Sequence, residues 1–231
     1  MKNFILTPIN LYATTMNLIA IETATENCSV GLLHLGEITQ TSAVAPQKHA
    51  ELVLVYLDQL LAAHDLKKSQ IDGIVFGQGP GAFTGVRIAM SVVQGLALAW
   101  EVPVMAVSTL LNMAHQVAQQ NNNLDGQLLV ANDARMNEVY WATFAIKDGQ
   151  LERLTEDALN APEDIITDGF DWCVGSAFQT MLTPGSTAQV MPGLLPDAAS
   201  MLSLAQNNFN QQAANIIDIK PTYIREKVVF N

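Results

Sequence analysis

Positive charge is scarce in this chain. Its 231 residues carry 11 Lys+Arg against 22 Asp+Glu, a formal net charge of −11. The only adjacent basic pair is Lys67-Lys68. A protein that grips a phosphate backbone needs basic side chains to displace its counterions, so the chain alone is not expected to hold nucleic acid. Cysteine is also rare. Cys28 and Cys173 form no C-x-x-C and no disulfide framework, and read as reduced structural thiols of a cytoplasmic protein. No apolar run approaches the roughly 20 residues of a membrane-spanning helix, so no membrane contact is expected.

Charge of either sign is low, 14% of residues against 49% hydrophobic. That composition opposes disorder and hints that a partner, rather than water, covers part of the apolar surface. The four histidines, His34, His49, His64 and His115, show no H-E-x-x-H spacing and no i, i+4 pair. They read as surface or helix-flanking residues, and no metal is expected. No G-x-S-x-G nucleophile elbow is present either.

The first fifteen residues break their apolar stretch with Thr7, Pro8 and Asn10, which suits no secretory signal. Met16 opens the patterned sequence and is the expected natural start, leaving 1–15 as a leader outside the fold. Leu18–Ile21 and Cys28–Leu35 read as strands around a hydroxyl-rich turn, with Glu37–Ala43 a third. Leu52, Val53, Leu57, Leu60 and Leu61 recur at helical spacing after Pro46. Gly73–Gly77 reads as a buried strand, and Val86–Trp100 as a helix apolar on nearly every face. Val104–Val107 is the next strand, and Ser108 suits an N-cap for a helix reaching about Gln120.

The polar run Gln119–Asn123 marks the expected boundary between an N-terminal half, 16–120, and a C-terminal half, 121–231. Beyond it the order repeats: a hairpin around Asp133–Asn137, a turn at Lys147–Gly149, a short helix opened by Pro162 and a strand at Trp172–Val174. A helix at about 196–210 follows, and is expected to pack back on the first half. Hairpin followed by alternating helix and strand, twice over, predicts an α/β fold of two related halves with mixed sheets.

Gly79, Pro80, Gly81, Thr84 and Gly85 lie between a strand and a helix, where glycines let backbone N–H groups approach an anion. The loop is neither a Walker A motif nor G-x-G-x-x-G, so phosphate contact and a tight structural turn both stay open. Asp133, near Arg135 and Glu138, suits either an acid–base role or the shaping of its turn.

Several segments together resemble the TsaB (YeaZ) family. They are Ile19–Glu26, Gly77–Ile88, Gln94–Ala97, Asp133–Tyr140 and the tail Lys220–Arg225, in order from Met16 onward. The resemblance implies the actin/Hsp70/sugar-kinase fold, two ribonuclease-H-like halves in tandem. It also implies a non-catalytic accessory subunit for N6-threonylcarbamoyladenosine formation in tRNAs that read codons beginning with A. The implied partners are the TsaD transferase, the TsaE ATPase and, when alone, a second copy; tRNA would be met only through the complex.

No catalytic residue is carried over. By the resemblance, the metal-binding histidine pair of TsaD-like relatives aligns with Thr109 and Met113, and the usual active-site Asp of nucleotide-binding relatives with Glu22. No cofactor is implied beyond a weakly held ATP or ADP at the subunit junction. The implied partner interface lies on the helices Pro46–His64 and Gly85–Trp100, with Leu57, Leu61, Val92 and Leu96 as its apolar seam. The alternative reading is an ATP-dependent kinase or ATPase of the same fold group.

Overall fold

The computed structural model describes residues 16–120, 125–219 and 224. The leader 1–15, the linker residues 121–123 and most of the expected tail motif at 220–225 lie outside the described residues. The first sheet begins with β1 (Leu18–Glu22), β2 (Asn27–His34) and β3 (Glu37–Val44), an antiparallel meander with unbroken register. After α1 (His49–Ala63), β4 (Gly73–Gly79) returns parallel beside β1; after α2 (Phe83–Trp100), β5 (Val104–Ser108) joins it. The strand order is β3-β2-β1-β4-β5.

The second sheet repeats this plan. Following α3 (Thr109–Gln120) come β6 (Gly126–Asp133), β7 (Val139–Lys147) and β8 (Gln150–Arg153), again an antiparallel meander. The short β9 (Ala158–Asn160) pairs with β7, while β10 (Trp172–Val174) and β11 (Gln189–Met191) add parallel strands beside β6. The order β8-β7-β6-β10-β11 therefore matches the first sheet strand for strand. The fold is α/β, with two ribonuclease-H-like mixed sheets, and is of the actin/Hsp70/sugar-kinase kind. Where the first half has long crossover helices, the second has a 3-10 turn at Pro162–Asp164 and the four-residue α4 (Ala177–Thr180).

Each of the five β1 residues is buried, because both faces of the first sheet are covered. Ile19, Ile21, Val30 and Leu32 face α1 and α2, packing with Val53, Leu57, Leu60 and Val93. Leu18, Ala20, Val75 and Val107 face α5 (Ala198–Gln212), through its Met201, Leu202, Ala205 and Phe209. Helix α3 crosses the other way: its Leu110, Met113, Ala114 and Val117 pack on Leu128, Val130, Ala142 and Phe144 of the second sheet. Each sheet is thus roofed by a helix whose neighbours in sequence lie on the other sheet. Asp197 accepts from the Ser200 N–H at 2.8 Å to cap α5, and Ser108 Oγ accepts from Leu111 N–H at 3.2 Å to cap α3.

One expectation needs correction. α2 is long and apolar enough to cross a membrane by composition, although no apolar run of that kind was expected. Its Gly85, Val86, Ala89, Met90, Val93 and Ala97 form a buried stripe against the first sheet, which makes it a covering helix of the core.

Candidate functional site

β1 ends on a buried carboxyl. Glu22 is fully buried; its Oε1 accepts from the Ala24 N–H at 2.7 Å, while Oε2 has no hydrogen-bond partner. Burial pushes its carboxyl up to about 7, and nearby Asp197 adds to the rise. N–H groups of Ala24 and Thr23 and the Asn112 side chain pull the other way without winning.

The glycine loop closes over this turn. A Cβ at Gly81 would collide with the Ala24 carbonyl, one at Gly85 with the Thr23 carbonyl, and one at Gly77 with the Glu22 carboxyl. Thr23 Oγ1 donates to Gly85 O at 2.7 Å, and Ala82 N–H donates to Ala24 O at 2.7 Å. At Gly81 and Gly85 glycine is required by the approach of the chain's own backbone, which favours the tight structural turn of the two readings left open for Gly79, Pro80, Gly81, Thr84 and Gly85. Thr84 and Gly85 moreover belong to the first turn of α2. The positions aligned with the relatives' histidine pair are packed inside the protein. Met113 is core in the second half and accepts at its sulfur from Asn132 Nδ2, while Thr109 is fully buried. Among the described residues no three His, Cys, Asp or Glu side chains gather to hold an ion.

Asp133 shapes its own turn. Oδ1 accepts from Arg135 N–H at 2.7 Å and Oδ2 pairs with Arg135 Nη1 at 2.9 Å. The backbone then passes through three successive left-handed residues, Arg135, Met136 and Asn137, with φ of 64°, 57° and 57°.

The outward faces of α1 and α2 are a different matter. Leu54 and Val55 on α1 are each 48% exposed, and on α2 Phe83 is 49% and Leu98 60% exposed. Arg87, the sole charge of α2, stacks 3.3 Å over the Phe83 ring. Leu57 and Leu61, expected at a seam, are 2% and 5% exposed and pack on the first sheet. They are core residues. Val92 and Leu96 are half-buried against the same core, so an outer surface must be built from them and their exposed neighbours.

Comparison with known proteins identifies the chain. Residues 35–220 match the model of the TsaD family, described as tRNA N6-adenosine threonylcarbamoyltransferase. A tRNA threonylcarbamoyladenosine biosynthesis protein TsaB from Haemophilus influenzae is 33% identical over 93% of this chain and 96% of its own length. The chain belongs to the TsaB (YeaZ) family. TsaB of Escherichia coli is 31% identical over 93% of the chain and 97% of its own length. The solved structure of YeaZ from Pseudomonas aeruginosa superposes with a TM-score of 0.82 at 36% identity, covering 90% of this chain and 99% of that one. The segments Ile19–Glu26, Gly77–Ile88 and Asp133–Tyr140 thus sit in this TsaB-family chain at the β1 turn, the α2 entry and the β6–β7 turn.

Sequence reasoning missed that burial pushes the Glu22 carboxyl up to about 7. The signal was present in the five-residue apolar strand that ends on it, but burial at the junction of four segments became visible only in three dimensions.

Proposed function

We propose that this chain is a non-catalytic accessory subunit in the formation of N6-threonylcarbamoyladenosine in tRNA. In this reading it binds the TsaD transferase through the outer faces of α1 and α2 and works beside the TsaE ATPase. Without TsaD the same faces pair two copies of the chain. The carrying observation is the outer face of α2, which combines exposed Phe83 and Leu98 with a single charge along 18 residues. Exposed Ser91 and Gly95 lie between them, and the space beside Gly95 is open, so a second helix can approach closely.

Burying a large apolar side chain contributes roughly 1.5–3 kcal/mol. Several together offset the rigid-body cost of association, about 4–15 kcal/mol. The net charge of −11 is why tRNA is met through the complex, and the two free buried thiols accord with a cytoplasmic setting. Mixing the chain with its cognate TsaD at micromolar concentration tests this: co-elution and a gain in tRNA modification are expected, and separate elution without that gain refutes it.

The alternative, an ATP-dependent kinase or ATPase, needs a loop that cradles phosphate and an acid that holds Mg²⁺. The close packing of Gly81 and Gly85 against the Ala24 and Thr23 carbonyls counts against it. Calorimetry with ATP and Mg²⁺ on the isolated chain decides, since tight binding with turnover would restore the enzyme reading.

A further inference from the structure

Among the described residues no strand pairs with β3 on the side away from β2. The two-residue turn Leu35-Gly36, with φ of 52° and 82°, makes His34 and Glu37 the first hydrogen-bonded pair of the β2–β3 ladder. Alternation then assigns Thr39, Thr41 and Ala43 to bonds with β2. The Ala45 N–H, which donates to Glu26 O at 3.0 Å, keeps the same phase just beyond the strand. The backbone N–H and C=O groups of Ile38, Gln40, Ser42 and Val44 therefore point outward from the sheet. The Gln40 side chain is tied inward, its Oε1 accepting from Ala199 N–H at 3.0 Å, and leaves that edge clear.

The other edges are short, charged or capped. Val104 of β5 exchanges both backbone bonds with Ala214, β11 has three residues, and β8 carries Glu152 and Arg153 among its four. β3 is eight residues long with unbroken register, contains no Pro, Lys or Arg, and has its one charge, Glu37, at its start. An edge of that kind is a template for another strand. Its outward-bonding residues run apolar, polar, polar, apolar, an order that is its own reverse. A two-fold axis through Thr41, perpendicular to the sheet, sets Ile38 of one copy opposite Val44 of the other, Gln40 opposite Ser42, and Thr41 beside Thr41. Val44, 65% exposed in the single chain, is then covered by Ile38, and no two like charges face each other.

We propose that β3 is a self-association edge, through which two copies join their first sheets antiparallel into one continuous sheet. The pairing uses neither Phe83 nor Leu98, so it is separate from the α1 and α2 faces assigned above. A single pair of strands buries little area, and the association is weak and concentration-dependent.

The test uses the full chain carrying Leu98→Glu, which takes the α2 face out of use. Sedimentation equilibrium between about 1 and 200 µM should show a monomer–dimer equilibrium, and hydrogen exchange at the Gln40 and Ser42 amides should slow as concentration rises. Ser42→Pro removes an outward donor without touching the β2 ladder, and Val44→Lys places a charge at the edge. Each should weaken dimerisation about tenfold or more. Circular dichroism establishes that each variant is folded, and if Ser42→Pro is not, Val44→Lys decides alone. A chain that stays monomeric throughout, or a dimer that survives the edge substitutions, overturns the proposal. Protection of Gln40 and Ser42 that is independent of concentration also overturns it, since a segment of the same chain would then fill the edge. The result is independent of TsaD association.

Discussion

The hydroxyl of Thr23 donates to the carbonyl of Gly85 at 2.7 Å, across 62 residues of chain and out of reach of solvent. With the Ala82 N–H bond to Ala24 O, it clamps the start of α2 onto the turn after β1. A side chain at Gly85 has nowhere to go, because the obstructing atom is backbone.

Gly85→Ala should therefore destabilise the chain by about 1–3 kcal/mol. Gly95→Ala, on the same helix with nothing within 4 Å, should instead stabilise it by about 0.5–1 kcal/mol. Urea midpoints of the two variants provide the check, and equal shifts would contradict the clamp.

Glu22 makes stability depend on pH in a definite direction. Its folded value of about 7 exceeds the ordinary 4.5, so the fold favours the protonated acid. That contribution is complete below about pH 4.5 and is lost as pH rises through 7. Glu22→Gln removes the dependence, and should gain on the wild type between pH 5 and pH 9 by on the order of 3 kcal/mol. Denaturation at the two pH values measures the difference, and parallel curves would show that Glu22 is not the group responsible.

Two leucines on neighbouring helices should behave in opposite ways. Leu98→Glu alters a side chain that is 60% exposed; the melting temperature should hold while self-association and TsaD binding weaken. Leu57→Ala empties a core position and should cost about 2–5 kcal/mol. Light scattering and thermal unfolding of both variants separate surface from core.

The turn after β6 stores backbone strain. Met136 has φ of 57° and is 59% exposed, and its left-handed backbone costs about 1–2 kcal/mol. Met136→Gly should raise stability by about 1 kcal/mol, read from the denaturation midpoint. A loss would mean that the side chain's contacts outweigh the strain.

The first sheet was legible because its elements are long and its signals agree: Leu18–Ile21 is continuously apolar, and α1 repeats at helical spacing. In the second half, β9, β11 and α4 span three or four residues each, too few for a period to register. The seam residues were harder for a physical reason. Leu57 and Leu61 carry the same apolar spacing whether a helix faces its own sheet or a partner, and only the sheet beneath α1 distinguishes the two. The glycine loop posed a similar problem, since close approach to an anion and close approach to Thr23 and Ala24 select the same residue.

The exchange of roofs between the sheets ties their fates together. Without Met201, Leu202 and Phe209 from α5, the face of the first sheet bearing Leu18 and Val75 would lie open to water; without α3, Phe144 and Leu128 would do the same. A cut anywhere in 121–124 should therefore yield two fragments that are each insoluble or molten, yet able to reassemble when mixed. Ribosomal synthesis faces the same constraint: the N-terminal sheet emerges first but must wait for nearly the last helix before it is sealed.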